Sequence, residues 1–592
     1  MLDRLVERVV AKWSADLGLV EMPTFFLERP ADEAHGDYAT PVCLQLAKLL
    51  GRPPRSLAEE LRALLLAEEE IAALVEQVEI AGPGFLNFTL SGGAYAAMMN
   101  EMLARGDEIG GGSTKERPRI NLEFVSVNPN GPLHVGHGRY AAYGDALRRL
   151  MRFSGANLDT EFYINDYGRQ MDRFGRSIAA RYAQSFEVDL PVPDDGYQGD
   201  YVGDIAAALR VEIGDRYVAT LGAVAEAMKN KAPSAASAGT EVQEETPEDE
   251  ESAEPVEEWP GAEALDEAVV FFRTEGCAAI LEQMRRELEE FGVSFDVWFS
   301  ETGLHTSGRL EQVVERLLKS GEAYEEGEAV WLRTTARGDD KDRVLIRANG
   351  HPTYFAADIA YHEDKLDRGF DHLIDIWGAD HHGYVPRMKA AVGILSGEPD
   401  TLEVVIGQLV NLLEKGELRQ MSTRRGEMVT LAELVDAIGK DAARFFLVSR
   451  SQDQTLDLDL DLARSQSQEN PVYYVQYAHA RIASILRNVA EGTEASVGEG
   501  EEIYASPHER ALIKRVASFN EVVREAADRR APHRIAGYAQ EVAADFHVFY
   551  KHCRVIGAAP AVSASRLGLC LVAKRVISRC LDLLGVSAPE SM

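Results

Sequence analysis

The sequence predicts a multidomain α/β protein, and three observations point there. At 592 residues the chain is far too long for one hydrophobic core, because single cores stop growing well short of that length and chains divide into domains. From Arg119 a strand–loop–helix–strand order sets in, which is how an α/β layer is written. After Asn470 the pattern turns helical almost to the end. Together these divide the chain into an α+β module over residues 1–112, an α/β domain over 113–470 and an all-α region over 471–592.

The elements follow in order. MLDRLVERVVAKW is an amphipathic helix ending near Gly18, with acids and bases mixed through its apolar positions as a signal peptide does not have them. A loop carrying HGDYAT, His35 to Thr40, comes next. A helix through PVCLQLAKLLG follows, then another in PPRSLAEELRALLLAEE with early prolines and Ser56 as its N-cap. VEIAGPGFLNFTL alternates like strands broken by a Gly-Pro-Gly turn. The glycines Gly110 to Gly112 mark the end of the module. In the next domain Ile120, Leu122 and Phe124 alternate with Asn121, Glu123 and Val125, a strand with one apolar face. HVGHGRYAAYGDALRRLMRFSG is a helix whose last turns hold Arg148, Arg149 and Arg152, cations that suit that end of the dipole, with Gly155 beyond. TEFYIND is the next strand. Residues 168–325 are mainly helical, VWLRTTA and DRVLIRANG form a hairpin, and HLIDIWGAD returns to the α/β pattern.

Composition excludes several classes. Hydrophobic residues make up 45% and charged residues 27% of the chain, values of an ordinary globular protein. No apolar run is long enough to span a bilayer, so a cytoplasmic protein without membrane contact is expected. The five cysteines are scattered, with no C-x-x-C pair to begin a zinc site and no disulfide framework, so buried free thiols and no structural metal are expected. A net charge of −35 argues against coating nucleic acid by bulk attraction, yet leaves room for a local basic face. Residues 471–592 carry 15 Lys or Arg against 13 Asp or Glu, which fits either a nucleic-acid-facing surface or ordinary solvated helices. Much of the acid excess sits in one place. Between Glu241 and Glu258 there are ten acids and no Lys or Arg, and residues 232–259 have the composition of a disordered acidic segment.

One motif carries chemistry. NPNGPLHVGHGR, Asn128 to Arg139, lies where a strand ends and a helix begins, the place where open α/β sheets bind nucleotides. Free N–H groups at the helix start favour phosphate. His134 and His137 are three apart and share one helical turn, while Gly136 between them lets a nucleotide approach closely. Two imidazoles can donate hydrogen bonds to a triphosphate without holding a permanent charge.

HVGH resembles the HIGH signature of class I aminoacyl-tRNA synthetases, and EFVSVNPNGPLHVGHGR is similar to the arginine-specific branch, the arginyl-tRNA synthetases. The likeness runs along nearly the whole chain. HGDYAT and AGPGFLNF resemble the family's N-terminal additional domain, which meets tRNA. GKDAARFFLVSR, Gly439 to Arg450, is similar to the helix that introduces its α-helical anticodon-binding domain. GADHH, Gly378 to His382, resembles the class I G-x-D element. The resemblance implies a Rossmann-type catalytic domain over 113–470 and an enzyme that joins L-arginine to its tRNA through an arginyl-adenylate. The resemblance further implies that the first step needs bound tRNA; ATP with Mg²⁺ is the expected co-substrate, and a monomer is expected. It implies ATP contacts from Pro132, Leu133, His134, Gly136, His137, Gly378, Asp380, Met421 and Ser422. Arginine would be held by Glu123, Glu301, Asp358 and Tyr354 at the guanidinium and by Asn128 and His382 at the amino-acid end. Guanidinium is planar and permanently charged, so carboxylates are its natural partners. Tyr354 and Asp358 are i, i+4 and share a helical face.

The second class I signature, of KMSKS type, departs from the family's pattern. RQMSTRRGEMVTL keeps Met421 and Ser422, but Gln420 and Thr423 stand at the lysine positions. Arg424 is the expected catalytic cation for the leaving pyrophosphate, with Arg419 and Arg425 beside it. These arginines could equally contact tRNA or decorate a flexible loop. Two alternatives stay open at this point: a class I synthetase for another amino acid, lysine included, and a tRNA-binding homologue without catalysis.

Overall fold

A computed structural model of the chain describes residues 2–19, 24–28, 30, 32, 35–112, 118–229, 259, 263–418, 429–489, 494–498, 500 and 502–592. The N-terminal part contains helices α1 Leu2–Asp16, α2 Val42–Leu50, α3 Pro54–Ala67, α4 Glu69–Leu74 and α5 Gly92–Arg105, with strands β1 Tyr38–Thr40, β2 Val75–Ala81 and β3 Phe85–Leu90. The strands form an antiparallel sheet in the order β1-β3-β2, with β2 and β3 meeting at the expected Gly-Pro-Gly turn. Two local expectations are corrected. The end of HGDYAT is a strand, because Tyr38, Ala39 and Thr40 find partners on β3. Ser56 is not a cap: α3 starts at Pro54, whose fixed φ suits a first helical position, and Pro53 precedes it without a side-chain cap.

The central domain is built on β4 Arg119–Glu123, α6 Val135–Phe153, β5 Asn157–Ile164, helices α7 Arg169–Gln184, α8 Asp200–Ile213, α9 Val218–Lys229 and α10 Glu263–Phe291, and then β6 Val297–Ser300. After α11 Glu301–Thr306 and α12 Arg309–Ser320, the strands β7 Ala323–Glu326, β8 Ala329–Leu332 and β9 Arg343–Ile346 form a small antiparallel sheet, one strand more than the expected hairpin. Then come α13 Tyr354–Asp367, β10 His372–Gly378, α14 Val385–Ser396 and β11 Leu402–Gly407. The five long-range strands make one parallel sheet in the order β11-β10-β4-β5-β6. The chain leaves β4 toward β5 and β6, then returns on the other side as β10 and β11. The strand order therefore reverses at the β4/β10 boundary, and the crevice beyond the carboxyl ends of those strands is where such sheets take ligands.

The alternation along β4 does not leave one face wet. Asn121 and Glu123 are buried like Leu122 between them, because a central parallel strand is covered on both sides. Their polarity is matched inside: Asn121 Nδ2 donates to Glu161 Oε2 at 2.7 Å, and Arg368 forks onto both oxygens of Glu161 at 2.8 Å. On the apolar side α6 lies close, since a Cβ on Gly144 would overlap the Phe124 ring. Trp259, placed at the edge of the expected disordered segment, is buried. The rest of residues 232–259 lies outside the described residues.

Beyond β11 the chain forms β12 Val410–Glu414, β13 Glu417–Leu418, α15 Leu431–Ile438, α16 Lys440–Val448, β14 Leu456–Asp459 and α17 Leu460–Arg464. It closes with α18 Pro471–Arg487, α19 Pro507–Ala517, α20 Phe519–Asp528, α21 His533–His552 and α22 Pro560–Leu583. All five cysteines are buried and unpaired. Among the described residues no helix is long and apolar enough to cross a membrane.

A buried ion pair joins the C-terminal helices to α6. Arg444 on α16 has no exposed side-chain surface and donates to Asp145 Oδ2 on α6 at 2.5 Å, to the Phe291 carbonyl at 3.0 Å and to the Leu584 carbonyl at 2.9 Å. Asp145 also holds Arg148 at 2.5 Å and Arg149 at 2.7 Å, so removing Arg444 leaves the carboxylate paired but strands the Phe291 and Leu584 carbonyls. Arg444→Met should therefore lower stability by about 1–3 kcal/mol, the cost of buried acceptors left unsatisfied, read as a fall in the chemical-denaturation midpoint; an unchanged midpoint would show that the joint is not structural.

Candidate active site

The loop after β4 delivers the two histidines to the switch point. His134 is the N-cap of α6, and its Nδ1 accepts the His137 amide at 3.3 Å while His137 Nδ1 accepts the His134 amide at the same distance. The rings stack with centroids 3.4 Å apart. This is a capping box built from two imidazoles. A backbone N–H can only donate, so both Nδ1 atoms are acceptors and each neutral ring carries its hydrogen on Nε2. Burial lowers His134 to about 4, and burial together with the neighbouring ring takes His137 well below its usual value. Two neutral Nε2–H donors result.

This narrows the expectation of free amides for phosphate at the helix start. The amides of His134 and His137 are used in the box, and Val135 donates to the Val429 carbonyl at 3.1 Å. Gly136 has a nearer task than admitting a nucleotide: a Cβ there would come within 2.8 Å of His134 Cε1, so the glycine seats the ring. Leu133 is fully buried and its carbonyl accepts the Leu431 amide at 2.7 Å, while Pro132 stays half-buried beside it. The signature loop is thus clamped to Val429–Leu431, where Thr430 and Glu433 cap α15.

On the far side of the switch point, parallel register pairs Glu123 with Asp375. Glu123 Oε2 accepts Tyr361 Oη at 2.9 Å and Lys365 Nζ at 2.5 Å, both from α13. Burial pushes the Glu123 carboxyl up and Lys365 opposes it. One turn back along α13, Asp358 accepts Tyr384 Oη at 2.6 Å. Burial raises its carboxyl to about 6, against the Tyr384 bond and with help from Glu301 and Glu123. Glu301 is set at the start of α11 because Asp166 accepts the Ser300 hydroxyl at 2.6 Å and the Thr302 amide at 2.9 Å. Burial raises the Glu301 carboxyl, and His305 Nε2, 3.5 Å away beneath the stacked ring of Tyr167, opposes this. Tyr163 on β5 bonds to Glu301, and its phenol is raised by burial and by the charges of Glu301, Asp358 and Glu123. The three acids expected at a guanidinium thus surround one tyrosine.

Other expected residues fall into smaller groups. Asn128 donates to Gln170 in the first turn of α7 at 2.8 Å, and the hydroxyl of Tyr354 lies beside Gly168 at the same helix start, 3.1 Å from where a Cβ would stand. At the end of β10, Asp380 Oδ1 fills the space that a side chain at position 378 would need, with Tyr140 of α6 next to it, so a Cβ at Gly378 would displace the Asp380 carboxylate. Asp380 is half exposed. His382 is exposed on the short turn Ala379–Tyr384, and no described contact joins it to the acids. Arg424, Met421 and Ser422 lie outside the described residues, as do Arg419, Gln420, Thr423 and Arg425. Sequence reasoning missed Tyr163, Tyr361, Lys365, Asp375 and Tyr384; the recurrence of Tyr354, Asp358, Tyr361 and Lys365 along one face of α13 was the available signal.

A second concavity lies between α18 and α21. A cavity of about 370 Å³ is lined by Tyr474, Tyr477, Arg481, His547, Tyr550 and Lys551, among others. Arg481 donates to the Tyr477 hydroxyl at 2.7 Å and lies 4.6 Å from the Tyr550 ring centroid.

Two family models match the ends of the chain, the arginyl-tRNA synthetase N-terminal domain over residues 2–90 and the DALR anticodon-binding domain over 475–592. The arginine–tRNA ligase of Aromatoleum aromaticum is 46% identical over 567 residues, covering 96% of this chain and 95% of the relative. The chain belongs to the arginyl-tRNA synthetase family. The Geobacillus kaustophilus arginine–tRNA ligase agrees, at 42% identity over 97% of this chain and 95% of its own. In fold, the chain is similar to the Thermus thermophilus arginyl-tRNA synthetase structure with a TM-score of 0.72 over 100% of both chains, at 24% identity. The family assignment meets the sequence expectation of a multidomain α/β fold with an N-terminal module and an α-helical C-terminal domain.

The histidine box makes a direct prediction. Both rings should stay in the Nε2–H form: His134 stays uncharged down to about pH 5 because burial lowers it to about 4, and His137 stays uncharged where a free imidazole would titrate, because burial holds it well below its usual value. Nitrogen-15 NMR of the imidazoles checks this, and a titration of either ring near its ordinary value would refute the box.

Proposed function

We propose that this chain is a class I arginine–tRNA ligase that activates L-arginine with ATP and transfers it from arginyl-adenylate to the 3′-terminal adenosine of its tRNA. Family membership supports the reaction, and the acid cluster supports the substrate. The observation that carries the reading is the meeting of Glu123, Glu301 and Asp358 around Tyr163, a group of acceptors suited to a planar, permanently charged guanidinium. Tyr354 closes that end, and Asn128 with His382 holds the amino-acid end. Pro132, Leu133, Gly136 and the neutral imidazoles of His134 and His137 serve ATP, the Nε2–H groups donating where charge develops on the phosphate under attack. Gly378 and Asp380 address the adenosine, and Met421, Ser422 and the cation of Arg424 address the leaving pyrophosphate. Mg²⁺ arrives with ATP as part of the substrate, and no resident metal enters this reading.

The same reading gives residues 1–112 to an additional tRNA-binding domain, 113–470 to the catalytic domain and 471–592 to the anticodon-binding domain. It has the enzyme act as a cytoplasmic monomer whose first step needs bound tRNA. The tyrosine-lined cavity beside Arg481 and Lys551 suits an unstacked tRNA base, since aromatic faces hold bases by stacking and cations hold the backbone.

ATP–pyrophosphate exchange with each standard amino acid, run with and without total tRNA, tests the proposal. Arginine alone should support exchange, and only with tRNA. Exchange with a different amino acid would overturn the substrate; exchange with arginine lacking tRNA would overturn the tRNA requirement. Asp358 must be ionised to hold a cation, and its raised value means that this charge is lost as pH falls through about 6. The arginine KM should therefore climb by up to about tenfold per pH unit below that point, and a flat profile would remove Asp358 from the site. Tyr477→Ala should raise the tRNA KM about tenfold, the worth of one lost stack, with arginine and ATP KM values steady; an unchanged tRNA KM would discard the cavity as a tRNA contact.

A further inference from the structure

Lys365 lies on the inward face of α13 with no exposed side-chain surface, between two carboxylates of adjacent strands. It donates to Glu123 Oε2 at 2.5 Å and to Asp375 Oδ1 at 3.0 Å. His362 completes the chain of contacts: its Nε2 is 2.9 Å from Asp375 Oδ2 and its Nδ1 donates to the Asp358 carbonyl at 2.7 Å. The described bonds to Glu123 both fall on Oε2, from Lys365 and from Tyr361. That oxygen is committed to the interior, while the Glu123 side chain keeps 8% of its surface open.

A buried ammonium must be matched by anions. If Glu123 were the only partner of Lys365, the pair would be closed, and the carboxylate would have little charge left for a second cation. Asp375 changes that balance. It shares the ammonium at 3.0 Å and is itself lowered to about 2 by Lys365 and His362 against the opposing effect of burial. His362 fixes the far oxygen of Asp375 and ties it to the backbone turn that carries Asp358. Glu123 and Asp358, from different elements, are thus linked through one continuous set of hydrogen bonds.

Resting on the arginine reading of this site, we propose that Lys365, Asp375, His362 and Tyr361 are positioning residues for the substrate guanidinium. They pin Glu123 by one oxygen, leave the other oxygen for arginine and hold Glu123 in register with Asp358. Asp375 acts as the counter-ion that prevents Lys365 from closing on Glu123 alone. None of the four needs to touch substrate.

The test measures arginine, ATP and tRNA KM values, kcat and thermal melting for the wild-type chain, Asp375→Asn and Tyr361→Phe in tRNA-dependent exchange. Asp375→Asn should raise the arginine KM at least about tenfold while the ATP and tRNA KM values and kcat stay within about threefold, a loss of substrate binding and not of transition-state stabilisation. Tyr361→Phe keeps the ring against Tyr163 and Phe299 and should raise the arginine KM by about threefold, because the lost hydrogen bond orients the Glu123 carboxylate and does not itself touch arginine. If Asp375→Asn does not fold, Tyr361→Phe decides. Arginine KM values within error of wild type overturn the proposal. So does a parallel loss in every parameter with lowered melting, which marks a structural role. A wild-type chain that exchanges with some other amino acid instead defeats the arginine reading itself.

Discussion

Two carboxylates lie side by side at the β4/β10 boundary because parallel register sets Glu123 opposite Asp375, and a single buried ammonium makes that arrangement tolerable. Like charges so placed repel, and the interior does little to screen them. Lys365 answers both from α13, so the packing of that helix on the sheet and the neutralisation of the sheet's centre are one event. The geometry of the acid cluster follows. Asp358 and Tyr354 sit on α13 upstream of Lys365, and Tyr163 on β5 and Glu301 after β6 approach from the other side. A polar interior of this kind adds little net stability, but it admits one arrangement of the elements around it.

The other half of the site depends on α6. Its N-terminus holds the histidine box, and its body is anchored by Arg139, which has no exposed surface and donates to the carbonyls of Gln408, Leu409, Ser451 and Gln454. Further along, the Tyr143 hydroxyl donates to the Arg530 carbonyl at 2.6 Å, and Asp145 receives Arg444. The helix that aims the imidazoles is therefore bonded at several depths to the segments leading into the C-terminal helices. A family member must act at the acceptor end of a tRNA whose anticodon lies far away, and a continuous set of hydrogen bonds between the two regions suits that task.

Much of this was legible in the sequence. The strand–loop–helix at Asn128–Arg139, the hairpin at Gly82–Gly84 and the helical C-terminal region depend on local signals, and local signals survive in the fold. What was illegible depends on distance along the chain. In HEDKLDRG, Lys365 sits among Glu363, Asp364 and Asp367, so it reads as a solvated helix charge; its true partner Glu123 is 242 residues away. The alternation in β4 cannot state that α13 would cover its polar residues with matching charges. The amides at the start of α6 looked free because nothing local indicates that two histidines will cap each other or that Val429 will return to pair with Val135. His35–Thr40 looked like a loop for the same reason, its strand partner lying on β3.

We propose that the acids around Tyr163 form the arginine guanidinium site while Lys365 keeps Glu123 in place. A crystal structure with L-arginine bound measures this most directly. The guanidinium should lie within hydrogen-bond reach of Glu123, Glu301 and Asp358, with Lys365 still on the inner oxygen of Glu123. Arginine bound elsewhere, or Lys365 withdrawn from Glu123 when arginine arrives, would contradict it.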